Sequence, residues 1–246
     1  MLRDAGAVVP VDAGMVAHAL DRIAPAERPP CHVIPNGYDE EDFAGTAPVL
    51  LPPFSIVHTG QLRRSPQPLW DALAGAKRAL GPAAPELHVW QIGFVDPRAA
   101  TDLGQPPEGI HVHQVPPVSQ REAIGYMLGA DLLLVEEFES VMPSKTLQYL
   151  RAARPMLALT EHGGVIRDGL DGVPDTQPVA RDRAAEAGPW IAGLVARGRL
   201  PQRQPPAAVT AFSRREIARC FAAVLDGTQG PVRVAAARVA LAGGSR

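Results

Sequence analysis

Three segments in the second half of the chain decide the fold: Ala130-Asp131-Leu132-Leu133-Leu134-Val135, Pro143-Ser144-Lys145-Thr146-Leu147-Gln148-Tyr149-Leu150 and Arg154-Pro155-Met156-Leu157-Ala158-Leu159. The first has no polar alternation, as a central strand covered on both faces requires. The second reads as a helix over 144–152, and the third is another apolar strand. Strand, helix and strand in this order make a βαβ unit, and hence a parallel sheet.

The same alternation continues toward the N-terminus. Strands are expected at 54–58, 87–92 and 110–115, and helices at 68–80 and 119–128. The fold class is α/β, a doubly wound, Rossmann-like parallel sheet. Ser119-Gln120-Arg121-Glu122 and Ser213-Arg214-Arg215-Glu216 read as capping boxes, each starting a helix. Terminal helices are expected at 213–226 and 232–241. Three stretches read as linkers or turns: 46–53 and 200–206, each with three prolines, and Ile34-Pro35-Asn36-Gly37. The first forty residues, with strands at 7–11 and 32–34 around a helix at 14–23, do not complete a unit of the alternation.

Composition narrows the function classes. The 246 residues carry a formal charge of −2, which supplies no field for nucleic acid or anionic lipid. Hydrophobic residues make up 46% and the mean hydropathy is −0.02, so a substantial core can be buried. No apolar run approaches the ~20 residues that cross a bilayer, and no signal peptide is visible, which implies a cytoplasmic protein. Cys31 and Cys220 stand alone, without metal or disulfide spacing. His111 and His113 share a strand face with no third ligand in view. Only two of the 24 basic residues are lysines, Lys77 and Lys145.

Val33-Ile34-Pro35-Asn36-Gly37-Tyr38-Asp39 resembles the inter-domain segment of GT-B glycosyltransferases, in particular the family 4-like group. Ile56-Val57-His58-Thr59-Gly60-Gln61-Leu62 resembles the first strand and glycine loop of their C-terminal, donor-binding half. The three segments quoted at the outset resemble the part of that half that holds the donor diphosphate. In this order the motifs cover roughly residues 7–226. The resemblance implies that residues 1–45 are the end of an N-terminal acceptor domain with the inter-domain segment, 46–226 the nucleotide-sugar donor-binding domain, and 227–246 a C-terminal helix or tail.

The residues support a phosphate site in their own right. Gly60 ends a strand, so its N–H is expected to face an anion, with Arg63 and Arg64 beside it as bidentate donors; a tight turn with solvated arginines is the plain alternative. Ser144 is a candidate N-cap, which leaves the N–H groups of Lys145, Thr146 and Leu147 at a positive helix end. A cation at that end opposes the macrodipole, and Lys145 there points to an anionic partner. Lys145 and Arg64 are the candidate catalytic residues, stabilising a departing diphosphate. Gly60, Arg63, Gly93, Val115, Ser144, Thr146, Leu147, Gln148 and Glu139 are the candidate donor contacts, with Gly93 and Val115 flanking the base.

The chain departs from the family pattern in two places. The glutamate expected to accept ribose hydroxyls falls at Gln148, and the glycine before the Arg-Pro step falls at Ala153. A paired glutamate would fall at Ser140, one position from Glu139; Glu136, Glu137 and Glu139 also read as a solvated acidic loop. His162-Gly163-Gly164 reads as a plain loop or as amides near a sugar.

The resemblance implies transfer of a sugar from a UDP-, GDP- or ADP-sugar to an acceptor hydroxyl, with no metal or other cofactor. It also implies an acceptor domain of which only a remnant is present, supplied by a longer reading frame or by a separate N-terminal-domain chain. Peripheral membrane contact would arise only through that domain. The alternatives are a non-catalytic nucleotide-sugar-binding or regulatory module and, less favoured by the inter-domain motif, a sugar-nucleotide epimerase.

Overall fold

The computed structural model describes residues 4–11, 20, 23–136, 144–161, 165–170 and 172–227. The readings on Glu137, Glu139, Ser140, Pro143, His162-Gly163-Gly164, the terminal helix at 232–241 and most of the helix at 14–23 lie outside these residues.

Six parallel strands form one sheet: β1 (Ser55–Thr59), β2 (Leu87–Ile92), β3 (Ile110–Val115), β4 (Leu132–Glu136), β5 (Met156–Thr160) and β6 (Thr176–Ala180), in the order β3-β2-β1-β4-β5-β6. The helices are α1 (Glu40–Phe43), α2 (Gln67–Leu80), α3 (Pro97–Leu103), α4 (Gln120–Gly129), α5 (Ser144–Ala152), α6 (Val165–Leu170), α7 (Gly188–Arg197) and α8 (Arg214–Leu225).

The two faces of β4 explain the layering. Leu132 and Leu134 join Ile56, Val89 and Leu157 in one core, under Leu69, Trp70 and Leu73 of α2 and Ile191 and Leu194 of α7. Leu133 and Val135 join Val57, Met156 and Ala158 in the other, under Ile124 and Met127 of α4 and Leu147 and Leu150 of α5. Each of these β4 side chains is at most 3% exposed, and burying one contributes about 1.5–3 kcal/mol.

Local chemistry sets several boundaries. The Ser119 capping box is complete: Ser119 Oγ accepts from the Glu122 N–H, and the Glu122 carboxylate accepts from the Ser119 N–H at 2.9 Å. At α8 Ser213 Oγ accepts from Glu216 N–H at 3.4 Å, but the Glu216 carboxylate turns to Arg219. Asp131, buried just before β4, accepts the Ser55 N–H at 2.9 Å and pairs with Arg199 through both oxygens. It therefore ties strands together at the N-terminal edge of the sheet.

Some expectations need correction. The strands expected at 7–11 and 32–34 reduce to one parallel bridge, Val8 with Cys31, and a bond from Ile34 N–H to Pro10 O at 3.0 Å. The following turn docks on the start of α8: Tyr38 N–H donates to Phe212 O, and Arg214 N–H to Tyr38 O. A Cβ on Gly37 would lie 2.6 Å from Phe212 O, so the turn requires glycine there. The helices α1, α3, α6 and α7 and the strand β6 add to the elements read from the sequence.

Candidate functional site

The strand order reverses direction between β1 and β4, and in such sheets ligands bind outside the carboxyl ends of the strands at that switch point. The pairing makes a crevice there. β1 pairs with β2 along its whole length, to Thr59 with Ile92, whereas its pairs with β4 are Ile56 with Leu132 and Val57 with Leu133. The two strands separate toward their carboxyl ends.

Tyr149 of α5 fills the base of this separation. Its hydroxyl accepts the Thr59 N–H at 2.8 Å and lies 3.2 Å from Thr59 Oγ1. The ring is 1% exposed, and burial pushes the phenol up to about 12 despite the Thr59 bonds. Lys145 lies one turn before Tyr149 on the same helix face, so it projects from the N-terminal end of α5 above the end of β1.

Lys145 is half-buried, and desolvation holds its ammonium below the ordinary lysine value; among the described residues no acid pairs with it. Helix α5 runs from Ser144, so Ser144 stands at its N-terminal boundary. Thr146 and Leu147 face inward as core. Thr146 Oγ1 and Gln148 Oε1 are buried atoms with no hydrogen-bond partner. Most buried polar groups are satisfied, so each orphan calls for an explanation.

The glycine loop after β1 is pinned differently from the sequence expectation. Gly60 N–H donates to Ile92 O at 2.8 Å, and so does not face an anion. Gly93 N–H in turn donates to Val115 O at 2.9 Å, which places Val115 and both glycines in one continued ladder at the carboxyl edge. Gly60 and Gly93 both have φ of +124°, and a Cβ on Gly93 would sit 2.4 Å from Gly60 O. The two strand ends touch backbone to backbone, which excludes any side chain. Local positive charge therefore comes from side chains and from the end of α5.

Arg64 pairs with Glu161, which directly follows β5, and Arg63 Nε donates to Gln61 Oε1 at 3.1 Å. The loop after β1 and the end of β5 are thus joined across the end of β4.

Two further residues organise this edge and were not singled out from sequence. Arg181, just after β6, pairs with Glu136 at 3.1 Å and donates to Ser65 O at 3.1 Å. Gln91, 2% exposed, donates through Nε2 to Gly60 O at 2.9 Å and presents Oε1 to His58 Nδ1 at 2.7 Å. Their partners lie far along the chain, so only the turn glycine, Gly60, offered a sequence signal.

Away from the crevice, His88 of β2 joins His111 and His113 of β3. His88 Nδ1 lies 3.1 Å from His113 Nε2, His88 stacks on His111, and His113 stacks on Trp90. Among the described residues no group of ligating side chains is arranged to hold a metal ion. No helix there is long and apolar enough to cross a membrane.

A six-stranded doubly wound parallel sheet with a crevice at its switch point defines a Rossmann-like α/β architecture. No protein-family model matches the sequence, and no curated protein matches it. Solved structures do match. Sucrose-phosphate synthase from Thermosynechococcus elongatus is similar at a TM-score of 0.62 and 16% identity, over 92% of this chain and 59% of that one. The pneumococcal O-GlcNAc transferase GtfA, in complex with UDP and GlcNAc, is similar at 0.57 and 14%, over 90% and 45%. The lipopolysaccharide outer core galactosyltransferase WaaB is similar at 0.56 and 13%, over 92% and 63%. The chain has the fold of GT-B glycosyltransferases and spans about half to two-thirds of the length of these neighbours.

Proposed function

We propose that the chain is the donor-binding half of a glycosyltransferase and that a nucleotide diphosphate sugar binds in the crevice between the carboxyl ends of β1 and β4. The observation that carries this reading is Lys145, a half-buried lysine with no acid partner among the described residues, at the N-terminal end of α5, above a switch-point crevice. A diphosphate there would meet the ammonium, the N–H groups of the first turn of α5, and the guanidinium groups of Arg63 and Arg64. The buried Gln148 Oε1 supplies an acceptor for a ribose hydroxyl. Among the structural neighbours, HepE of Anabaena was crystallised in complex with UDP and glucose, at a TM-score of 0.53 and 14% identity.

The chemistry follows from charge. As the bond between sugar and diphosphate breaks, negative charge accumulates on the leaving diphosphate. Fixed cations and helix N–H groups already aimed at that point stabilise the transition state more than the ground state. Lys145 and Arg64 are the residues assigned to this role, in a reaction that draws on no metal.

A second reading is a module that binds a nucleotide sugar without turning it over; Gln148, which lacks the charge of a carboxylate acceptor, favours it. Calorimetric titration with UDP, GDP and ADP and their sugars tests the main reading. Saturable binding of one nucleotide supports it, and failure of all three to bind refutes it. Slow hydrolysis of the bound donor would refute the second reading.

A further inference from the structure

At the opposite, N-terminal edge of the sheet lies a cavity of about 370 Å³, within the size range of small-molecule sites. It is lined by the C-terminal end of α5, the starts of β5 and β6, and the segment leading into residues 207–212. Leu150, Met156, Val173 and Pro206 make its walls apolar.

Among the described residues the charges around it are unbalanced. Arg154 lines the cavity and donates to Leu128 O at 2.9 and 2.6 Å and to Leu200 O at 2.7 Å, carbonyls that carry no neutralising charge. Burial pushes its guanidinium below the ordinary arginine value. Asp175, also in the lining, pairs with both Arg203 and Arg197. Nearby Asp131 is taken by Arg199. Among the described residues four guanidinium groups thus share two carboxylates, and Arg154 and Arg203 keep N–H donors beyond those used in these bonds.

The backbone points to the same place. Among the described residues the non-glycine residues at positive φ are Ala153 (53°) and Asp175 (54°), and both line this cavity. That conformation is strained for an L-residue, and strain of this kind gathers at ligand sites.

We propose that this cavity is a second ligand site, separate from the crevice, for an amphiphilic monoanion whose apolar body lies against Leu150, Met156 and Val173 and whose head group meets Arg203 and Arg154. The site does not depend on nucleotide-sugar binding, because it sits at the other edge of the sheet.

The test is calorimetric titration of the full chain with octanoate, beside 1-octanol as the uncharged counterpart and inorganic phosphate as the anion without an apolar body. Octanoate is expected to bind saturably and more tightly than either control. Arg203→Gln, at an exposed position, should weaken it by about tenfold or more through loss of a charge-assisted contact. Ala207→Trp, which places an indole at the exposed rim, should block it while leaving the melting temperature near that of the parent chain. Four results would overturn the proposal: no octanoate binding, octanol binding as tight as octanoate, phosphate binding as tight, or equal octanoate binding by the parent chain and both variants.

Discussion

Lys145 and Tyr149 sit one helical turn apart on the same face of α5 and do opposite work. Tyr149 closes the base of the crevice by accepting the Thr59 N–H; Lys145 leaves a cation at its mouth. Lys145→Ala is expected to weaken nucleotide diphosphate binding by about 5- to 150-fold, the loss of a charge-assisted contact worth ~1–3 kcal/mol, with little change in melting temperature; isothermal titration measures the first and calorimetric scanning the second. Tyr149 predicts an alkaline transition. Its folded pKa is raised above the ordinary value of 10 to about 12, so the neutral form is favoured in the folded state. The stabilisation is complete below pH 10 and is lost as pH rises toward 12, about 2–3 kcal/mol in all. Denaturant midpoints measured across that window should fall, and Tyr149→Phe, less stable at neutral pH, should flatten the fall.

Lys145 and Gln148 were legible because a helix start and its spacing carry them in one short segment. The roles of Tyr149, Gln91 and Arg181 were not, because their partners lie 90, 31 and 45 positions away.

At the scale of elements, α5 ends at Ala153 in a left-handed conformation, with Ala153 N–H donating to Tyr149 O at 3.1 Å and Leu150 O at 3.2 Å. This is the C′ position where helices favour glycine. It also explains physically why a glycine would be favoured where this chain has alanine. Ala153→Gly relieves the strain, and thermal unfolding is expected to shift upward by about 0.5–1 kcal/mol of stability. The β2–β3 edge carries a second titration. Burial, and then repulsion from neighbouring imidazoles, holds His88 and His113 below the ordinary imidazole value of 6.5, although Glu86 opposes this at His88. The unfolded chain therefore binds more protons than the folded one just below pH 6.5, and stability should fall on acidification through that range. Chemical denaturation at a series of pH values checks this, with His88→Gln reducing the slope.

Five of the six strands were readable because each is an apolar run between turn signals. β6 was not: Thr176-Gln177-Pro178-Val179-Ala180 holds a proline and two polar residues, a composition tolerated because β6 is the edge of the sheet. The N-terminal strands were over-read for the opposite reason. Apolar residues at 7–11 and 32–34 have the pattern, but among the described residues they pair only with each other, and an isolated pair of strands is marginal.

For the whole molecule, a net charge of −2 is compatible with basic side chains gathered at opposite edges of one sheet, Arg63, Arg64 and Lys145 at one and Arg154, Arg197 and Arg203 at the other. The sequence excluded a polyanion-binding surface and led to a parallel α/β fold, but strand order and the separation of β1 from β4 come from long-range pairing that no local pattern encodes. The crevice that follows from that pairing is the centre of the functional account. Amide chemical-shift mapping of the full chain during titration with UDP, GDP and ADP tests it most directly. One of them is expected to perturb the amides of residues 60–64, 93–94 and 144–149 and to leave those of residues 173–176 in place. Perturbations confined to any other surface, or none with all three nucleotides, would contradict it.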